Sequence, residues 1–188
     1  LLIVGFAVYS TWQIGRLGAE AYYTSRSERP LRDSERLALL RKANEVEPNN
    51  PDVVTLIGEI IRRRAWNGDD GYQDLLRAAL PWFQRGMVLN RWDPYNYAFA
   101  GMCYTWLGEK EKAADMFEIG RALDPYSYYM ISLYGYHLVE EGKWLPAWRY
   151  FLRSYGWKSE GNEFAKNYLD LLNRRLAEQR QKQVHSGQ

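Results

Sequence analysis

The two ends of the chain carry the plainest polarity patterns. The opening residues, "LLIVGFAVYSTW", hold no charge from Leu1 to Tyr9, with Trp12 close behind. Towards the other end, "NEFAKNYLDLLNRRLAEQRQ" places Phe164, Tyr168, Leu171 or Leu172, and Leu176 on one face at helical spacing, opposite a charged face. The second pattern predicts an amphipathic helix with one side to bury, over 159–178. The first predicts the end of a transmembrane helix over 1–12, with Tyr9 and Trp12 where an interfacial aromatic belt sits. The run is too short to span alone, since a span needs about 20 residues. It lacks the basic start and small-residue cleavage site of a signal peptide. A juxtamembrane helix and linker, 13–30, should follow it, with "QIGRLGAEAYY" continuing the same helix. The competing reading is a soluble helix that packs on the rest of the chain.

Between these ends the pattern repeats. Gly101 recurs as Gly135, Tyr104 as Leu138, Gly108 as Gly142, Ala113 as Ala147, Phe117 as Phe151 and Gly120 as Ser154, each 34 residues on. An earlier copy is displaced by 43: Gly58 to Gly101, Ala43 to Gly86 and Leu40 to Phe83. The extra residues fall between Gly58 and Ala79, where "RRRAWNGDDGY" reads as a surface turn. Period hunting precedes element assignment because a repeat fixes the architecture. Here it predicts antiparallel helical hairpins. Small residues recur where two helices cross: Gly58, Gly101 and Gly135 on first helices, Ala79, Ala113 and Ala147 on second ones. Leu40, Phe83, Phe117 and Phe151 should fill the gap between neighbouring hairpins. Gly108 and Gly142 supply the left-handed turn that ends a helix. Pro48, Pro94 and Pro125 stop or restart helices between hairpins. Pro81 interrupts "DLLRAALPWFQRGMVL" and predicts a kink, or a short helix from Tyr72 to Ala78 followed by a new one.

The spacing and residue types resemble the tetratricopeptide repeat (TPR), a 34-residue helix-turn-helix, over roughly Asp33 to Trp157 and most closely from Pro94 onward. The resemblance implies an all-α, right-handed TPR helical-hairpin solenoid over 31–158. It comprises a half repeat, 31–48, capped by Asp33 or Ser34, then repeats near 51–91, 94–125 and 128–157. Arg36 departs from the pattern where later copies have alanine, and Val54 replaces the usual first-helix aromatic. The C-terminal amphipathic helix would cap the array, and 179–188 would be a disordered tail.

The first helices of such a fold line its concave face. The resemblance places Asp52, Thr55, Glu59 and Arg62 there in the earlier unit. In the later two it places Tyr95, Ala98, Met102 and Thr105, then Tyr129, Ser132 and Tyr136. Tyrosines with small neighbours make a groove suited to an extended peptide or a sugar ring; the alternative is that they pack on one another.

Composition narrows the function. The chain has 188 residues, 46% hydrophobic and 26% charged, with 15 Tyr and 8 Trp, enough for a real core. A net charge of +2 is too balanced for a nucleic-acid binder. A single cysteine, Cys103, excludes an internal disulfide framework and a cysteine-based zinc cluster. No catalytic constellation stands out, and no cofactor or metal is expected. His137 falls one period after Cys103, but two ligands are too few for zinc. Asp69 and Asp70 beside Gly71 lack the alternating acids of a calcium loop. Glu140 and Glu141 read as a solvated helix end. Arg62, Arg63 and Arg64 read as another, with anionic head groups as the alternative.

The words "GMCYTWLGE", "ALDPYSYYMISLYGYHLVEEGKW" and "NEFAKNYLDLLNRRL" are also similar to the C-terminal repeat region of bacterial O-antigen ligase or polymerase-like membrane proteins. That resemblance implies a non-catalytic module appended to a glycan-handling membrane part at the bacterial inner membrane. Its partners would be a protein or peptide in the groove, or its own membrane domain. A separate membrane-anchored adaptor and a glycan-binding module are the alternatives. Arg16, Arg26, Arg29 and Arg32 after the apolar run lean towards a cytoplasmic side.

Overall fold

The structure, a computed structural model, describes residues 2–68 and 71–186. Among them every regular element is an α-helix. The chain divides into two compact units between Arg91 and Trp92.

The first unit holds α1 (Leu2–Ser27), α2 (Asp33–Val46), α3 (Pro51–Trp66) and α4 (Tyr72–Leu89). α1 and α2 form one hairpin, α3 and α4 the next. The half repeat expected over 31–48 is therefore completed by the C-terminal part of α1. From Gln13 to Ser27 the less exposed residues of α1 are 13, 16, 19, 20, 23, 24 and 27, one face of a helix. The segment from residue 13 continues the preceding helix, and α1 is unbroken from Leu2 to Ser27. Two polar contacts bind it to the turn after α2: Arg16 to Glu47 at 2.8 Å, and Asn50 Nδ2 donating to Glu20 Oε1 at 3.1 Å. No helix among the described residues is long and apolar enough to cross a membrane.

Pro81 lies inside α4 without ending it, so of the two expected outcomes the separate new helix does not occur. Proline removes one bond, to the carbonyl of Arg77. Both Pro81 and Arg77 are exposed, so water is available to that carbonyl. The inward face of α4, with Leu76, Ala79, Phe83 and Gly86 buried, holds the helix through the proline. The inserted segment belongs partly to α3, which runs on to Trp66. Asp69 and Asp70 lie outside the described residues.

The second unit holds α5 (Pro94–Trp106), α6 (Lys110–Leu123), α7 (Tyr128–Glu140), α8 (Trp144–Trp157) and α9 (Glu163–Ser186). α5–α6 and α7–α8 are hairpins, and α9 packs on α8 and α7. Gly108 (φ 78°) and Gly142 (φ 72°) close the two turns in the left-handed conformation. The first helix of each later hairpin begins on a side-chain cap. Asn50, Asp93 and Ser127 accept from the backbone N–H of Asp52, Tyr95 and Met130. Asn162 does the same for α9, accepting from Ala165 N–H at 3.2 Å. α9 thus starts as another first helix. It continues to Ser186, so the segment from 179 to 186, expected as a disordered tail, is helical.

One contact recurs in both units. The fully buried Phe83 lies over Gly58 of its own hairpin, and Phe117 and Phe151 lie likewise over Gly101 and Gly135. The phenylalanines are therefore not simply spacers between hairpins. Each fills the gap its own glycine leaves, and two then reach onward: Phe117 to His137 (centroids 5.1 Å) and Phe151 to Tyr168 (stacked, 4.9 Å).

Candidate functional site

The residues expected on the first-helix face divide by unit. In the first unit Asp52 is exposed near the start of α3, and Thr55 is half-buried with its hydroxyl donating to Pro51 O at 2.9 Å. Glu59 and Arg62 engage each other one turn apart, with Nε–Oε2 at 2.6 Å and Nη2–Oε1 at 2.7 Å. The Arg62 side chain keeps 7% exposure. Of the neighbouring arginines, Arg63 reaches Asp33 at 3.4 Å.

In the second unit four of the seven residues are buried: Ala98, Met102, Ser132 and Tyr136. The wall they form is closed by its own hydrogen bonds. Ser132 Oγ lies 2.6 Å from Ser154 Oγ, which also donates to Tyr128 O at 2.8 Å. Asn162 Nδ2 donates to the same Ser154 oxygen at 3.0 Å. The Tyr136 hydroxyl accepts from Trp106 Nε1 at 2.7 Å, and its ring meets Phe164 and Tyr168 of α9. Burial pushes the Tyr136 phenol far above its ordinary pKa, and that of Tyr168 up to about 12. Tyr136 is a core residue and Tyr168 is half-buried against it, and both keep their protons.

Two tyrosines remain at the surface. Tyr95 is 37% exposed and Tyr129 half-buried, with ring centroids 6.2 Å apart and planes tilted by 38°. They come from successive first helices at a spacing of 34 residues. Phe99 backs Tyr95 at 6.1 Å. Thr105 lies half-buried further along α5, its hydroxyl donating to Gly101 O at 2.9 Å and lying 2.9 Å from His137 Nδ1.

His137 is a packed histidine. Its Nε2 is 3.6 Å from Glu141, whose carboxylate also meets Lys143 at 2.8 Å. Burial lowers the imidazole pKa while Glu141 pulls it upward. The bond to Lys143 leads in holding the Glu141 carboxyl below its ordinary value. Glu141 is therefore tied down, whereas Glu140 is exposed. Cys103, the chain's one cysteine, is buried. No cluster of three or more His, Cys, Asp or Glu suited to a metal occurs among the described residues.

Sequence reasoning missed the Ser132–Ser154–Asn162 network and the Thr105–His137 link. A signal existed for the first: Ser154 stands one period after Gly120, so a hydroxyl enters a position otherwise kept small.

No protein-family model matches the chain, and no curated protein does. Solved structures do. MamA 41-end from Desulfovibrio magneticus RS-1 superposes with a TM-score of 0.62 at 17% identity, over 90% of this chain and 92% of that one. The Sgt2 TPR domain from Aspergillus fumigatus gives 0.58 at 17% identity, over 70% and 82%. YrrB, a TPR protein with an unusual peptide-binding site, gives 0.58 at 18% identity, over 81% and 71%. At such identities the likeness is one of fold. With the recurring Gly–Phe hairpin contact, it establishes that this chain has the tetratricopeptide-repeat fold.

Proposed function

We propose that the chain is a non-catalytic scaffold that holds an extended segment of a protein partner along the first-helix face of the second unit. The observation that carries this reading is the Tyr95–Tyr129 pair, one ring exposed and one half-buried, at the surface of a wall otherwise closed by its own hydrogen bonds. Such rings give contact area at low entropic cost, and the wall beneath needs no rearrangement to receive a ligand. YrrB, which shares the fold, carries a peptide-binding site. The test is selection from a random peptide library on the whole chain, repeated with Tyr95→Ala and Tyr129→Ala. Peptides whose binding falls at least tenfold in both variants support the reading. Peptides indifferent to both refute it.

A finer reading places this scaffold at the bacterial inner membrane, as the tail of an O-antigen ligase-like or polymerase-like protein in cell-surface polysaccharide assembly. It rests on the sequence words quoted above and on the uncovered apolar start of α1. A separate membrane-anchored adaptor would use the same start. The glycan alternative draws on a different observation: Tyr126, 79% exposed, and Trp157, 42% exposed, sit 6.0 Å apart in the second unit. Titration with lipid-free O-antigen oligosaccharide, followed by tryptophan fluorescence, distinguishes it from peptide binding.

A further inference from the structure

We infer that the N-terminal part of α1 enters a lipid bilayer end-on, and that this fixes which end of the first unit lies at the head groups. The inference rests on the membrane reading just given and deepens it. Ile3 (85% exposed), Val4 (67%), Phe6 (73%) and Val8 (65%) are bare, with Tyr9 (56%) next. At about 100° per residue these side chains point all round the helix axis. That distribution selects the occupant. A partner helix or a protein groove covers one stripe and would leave the other sides in water. Only a medium that surrounds the helix covers every side.

The same helix changes character one turn later. From Gln13 its burial follows a single face, the one docked in the α1–α2 hairpin. Tyr9 and Trp12 mark the boundary, where amphipathic rings sit at an interface. Arg16 stacks on Trp12 at 5.1 Å and is clamped to Glu47 at 2.8 Å. The stretch from Ile3 to Trp12 rises roughly 15 Å at 1.5 Å per residue, so successive positions along it sample successive depths. With α1 unbroken through residue 12, the repeat hairpin is coupled to the inserted part without a flexible joint.

The geometry then identifies a membrane-proximal end of the first unit. α2 runs antiparallel to α1, so its C-terminus and the turn at 47–50 lie level with Arg16. Arg85 of α4 donates to Pro48 O, which brings the end of α4 to the same place. Val88, 84% exposed, projects there. The charges that contacts place at this end cancel: Arg16 and Arg85 against Glu20 and Glu47. Arg26 lies about 21 Å beyond Trp12 along the helix, past a Debye length of about 8 Å. Binding should therefore be driven by acyl chains and be indifferent to lipid charge.

The test uses the whole chain with phosphatidylcholine vesicles. Cys103 is buried, so nitroxide labels can be placed singly through Val4→Cys, Val8→Cys, Trp12→Cys, Leu17→Cys and Val88→Cys. Expected are flotation with the vesicles and label depth increasing steadily from residue 17 to residue 4. Val88 should read at head-group level, and adding 30% anionic lipid should change binding less than twofold. Phe6→Glu should abolish flotation and Arg29→Gln should not. Failure to float refutes the membrane reading together with the inference. Flotation with a depth profile that oscillates every three to four residues, as in a helix lying flat, overturns the inference alone. A requirement for anionic lipid also overturns it.

Discussion

Replacing Gly58 by Ala tests the contact on which each hairpin closes. On an exposed helix this change stabilises by about 1 kcal/mol, because glycine has more backbone freedom to lose. In α3 the added Cβ would lie 2.8 Å from Phe83 Cε1, 3.0 Å from Cδ1 and 3.1 Å from Cζ. Three ring atoms in that range cannot be relieved by rotating one flexible end. Phe83 is itself fully buried, so the strain must part α3 from α4. Overpacking costs about 1–3 kcal/mol, and a contact this short belongs at the upper end. Less the propensity gain, the net loss is about 2 kcal/mol, or about 4–8 °C in Tm for a chain of this size. Urea and thermal denaturation by circular dichroism measure it. A Cβ added at Gly18 in α1 would meet nothing within 4 Å, so Gly18→Ala should stabilise by about 0.5–1 kcal/mol. Phe83→Leu should recover part of the Gly58→Ala loss, with a coupling of about 1 kcal/mol or more. A Gly58→Ala protein as stable as its parent would refute the steric account of the repeat.

Three further outcomes follow from the second unit. Burial lowers the His137 pKa, so the unfolded chain takes up that proton first; the stability His137 contributes should be complete above about pH 6.5 and fall as the pH drops below it. His137→Gln should flatten the difference between urea midpoints at pH 5 and pH 7.5. Ser154→Ala strips a shared partner from Ser132 and Asn162 and should cost about 1–3 kcal/mol, with faster amide exchange at the start of α9 as the local readout. Tyr136→Phe leaves the Trp106 indole N–H without its acceptor and should cost about 1–2 kcal/mol by urea denaturation, with little effect on peptide binding at Tyr95.

How much of this was legible before the structure depends on which contacts repeat. The spacing of 34 was readable because one steric event, a ring over a glycine, recurs in every later hairpin and tolerates little variation. The hairpin of α1 and α2 was half visible for the same reason. It keeps Leu40 and Ala43, both fully buried, but α1 holds its place with Arg16 and Glu20, polar contacts that no period announces. Whether the helix would run on through Pro81 was not legible, because the cost of a missing hydrogen bond depends on whether water can reach the carbonyl, which is a property of the folded face and not of the residue.

The first-helix face misled for a related reason. In the second unit α7 meets α5, α6, α8 and α9, so helices cover most of its circumference and little remains to face a ligand. A register that assigns Ala98, Met102, Ser132 and Tyr136 to an open groove counts positions without counting neighbours. Whether such a position is surface or core depends on the size and polarity of what sits opposite. Tyr136 is drawn inward because Trp106 offers its hydroxyl a donor and α9 offers its ring two aromatic edges. Tyr129 stands seven residues earlier on the same helix, with Tyr95 as its aromatic neighbour, and stays at the surface. The proposed binding surface is thus what remains after the aromatic residues have satisfied one another. For that reason the surface pair, and not the number of tyrosines, is the feature on which recognition should depend.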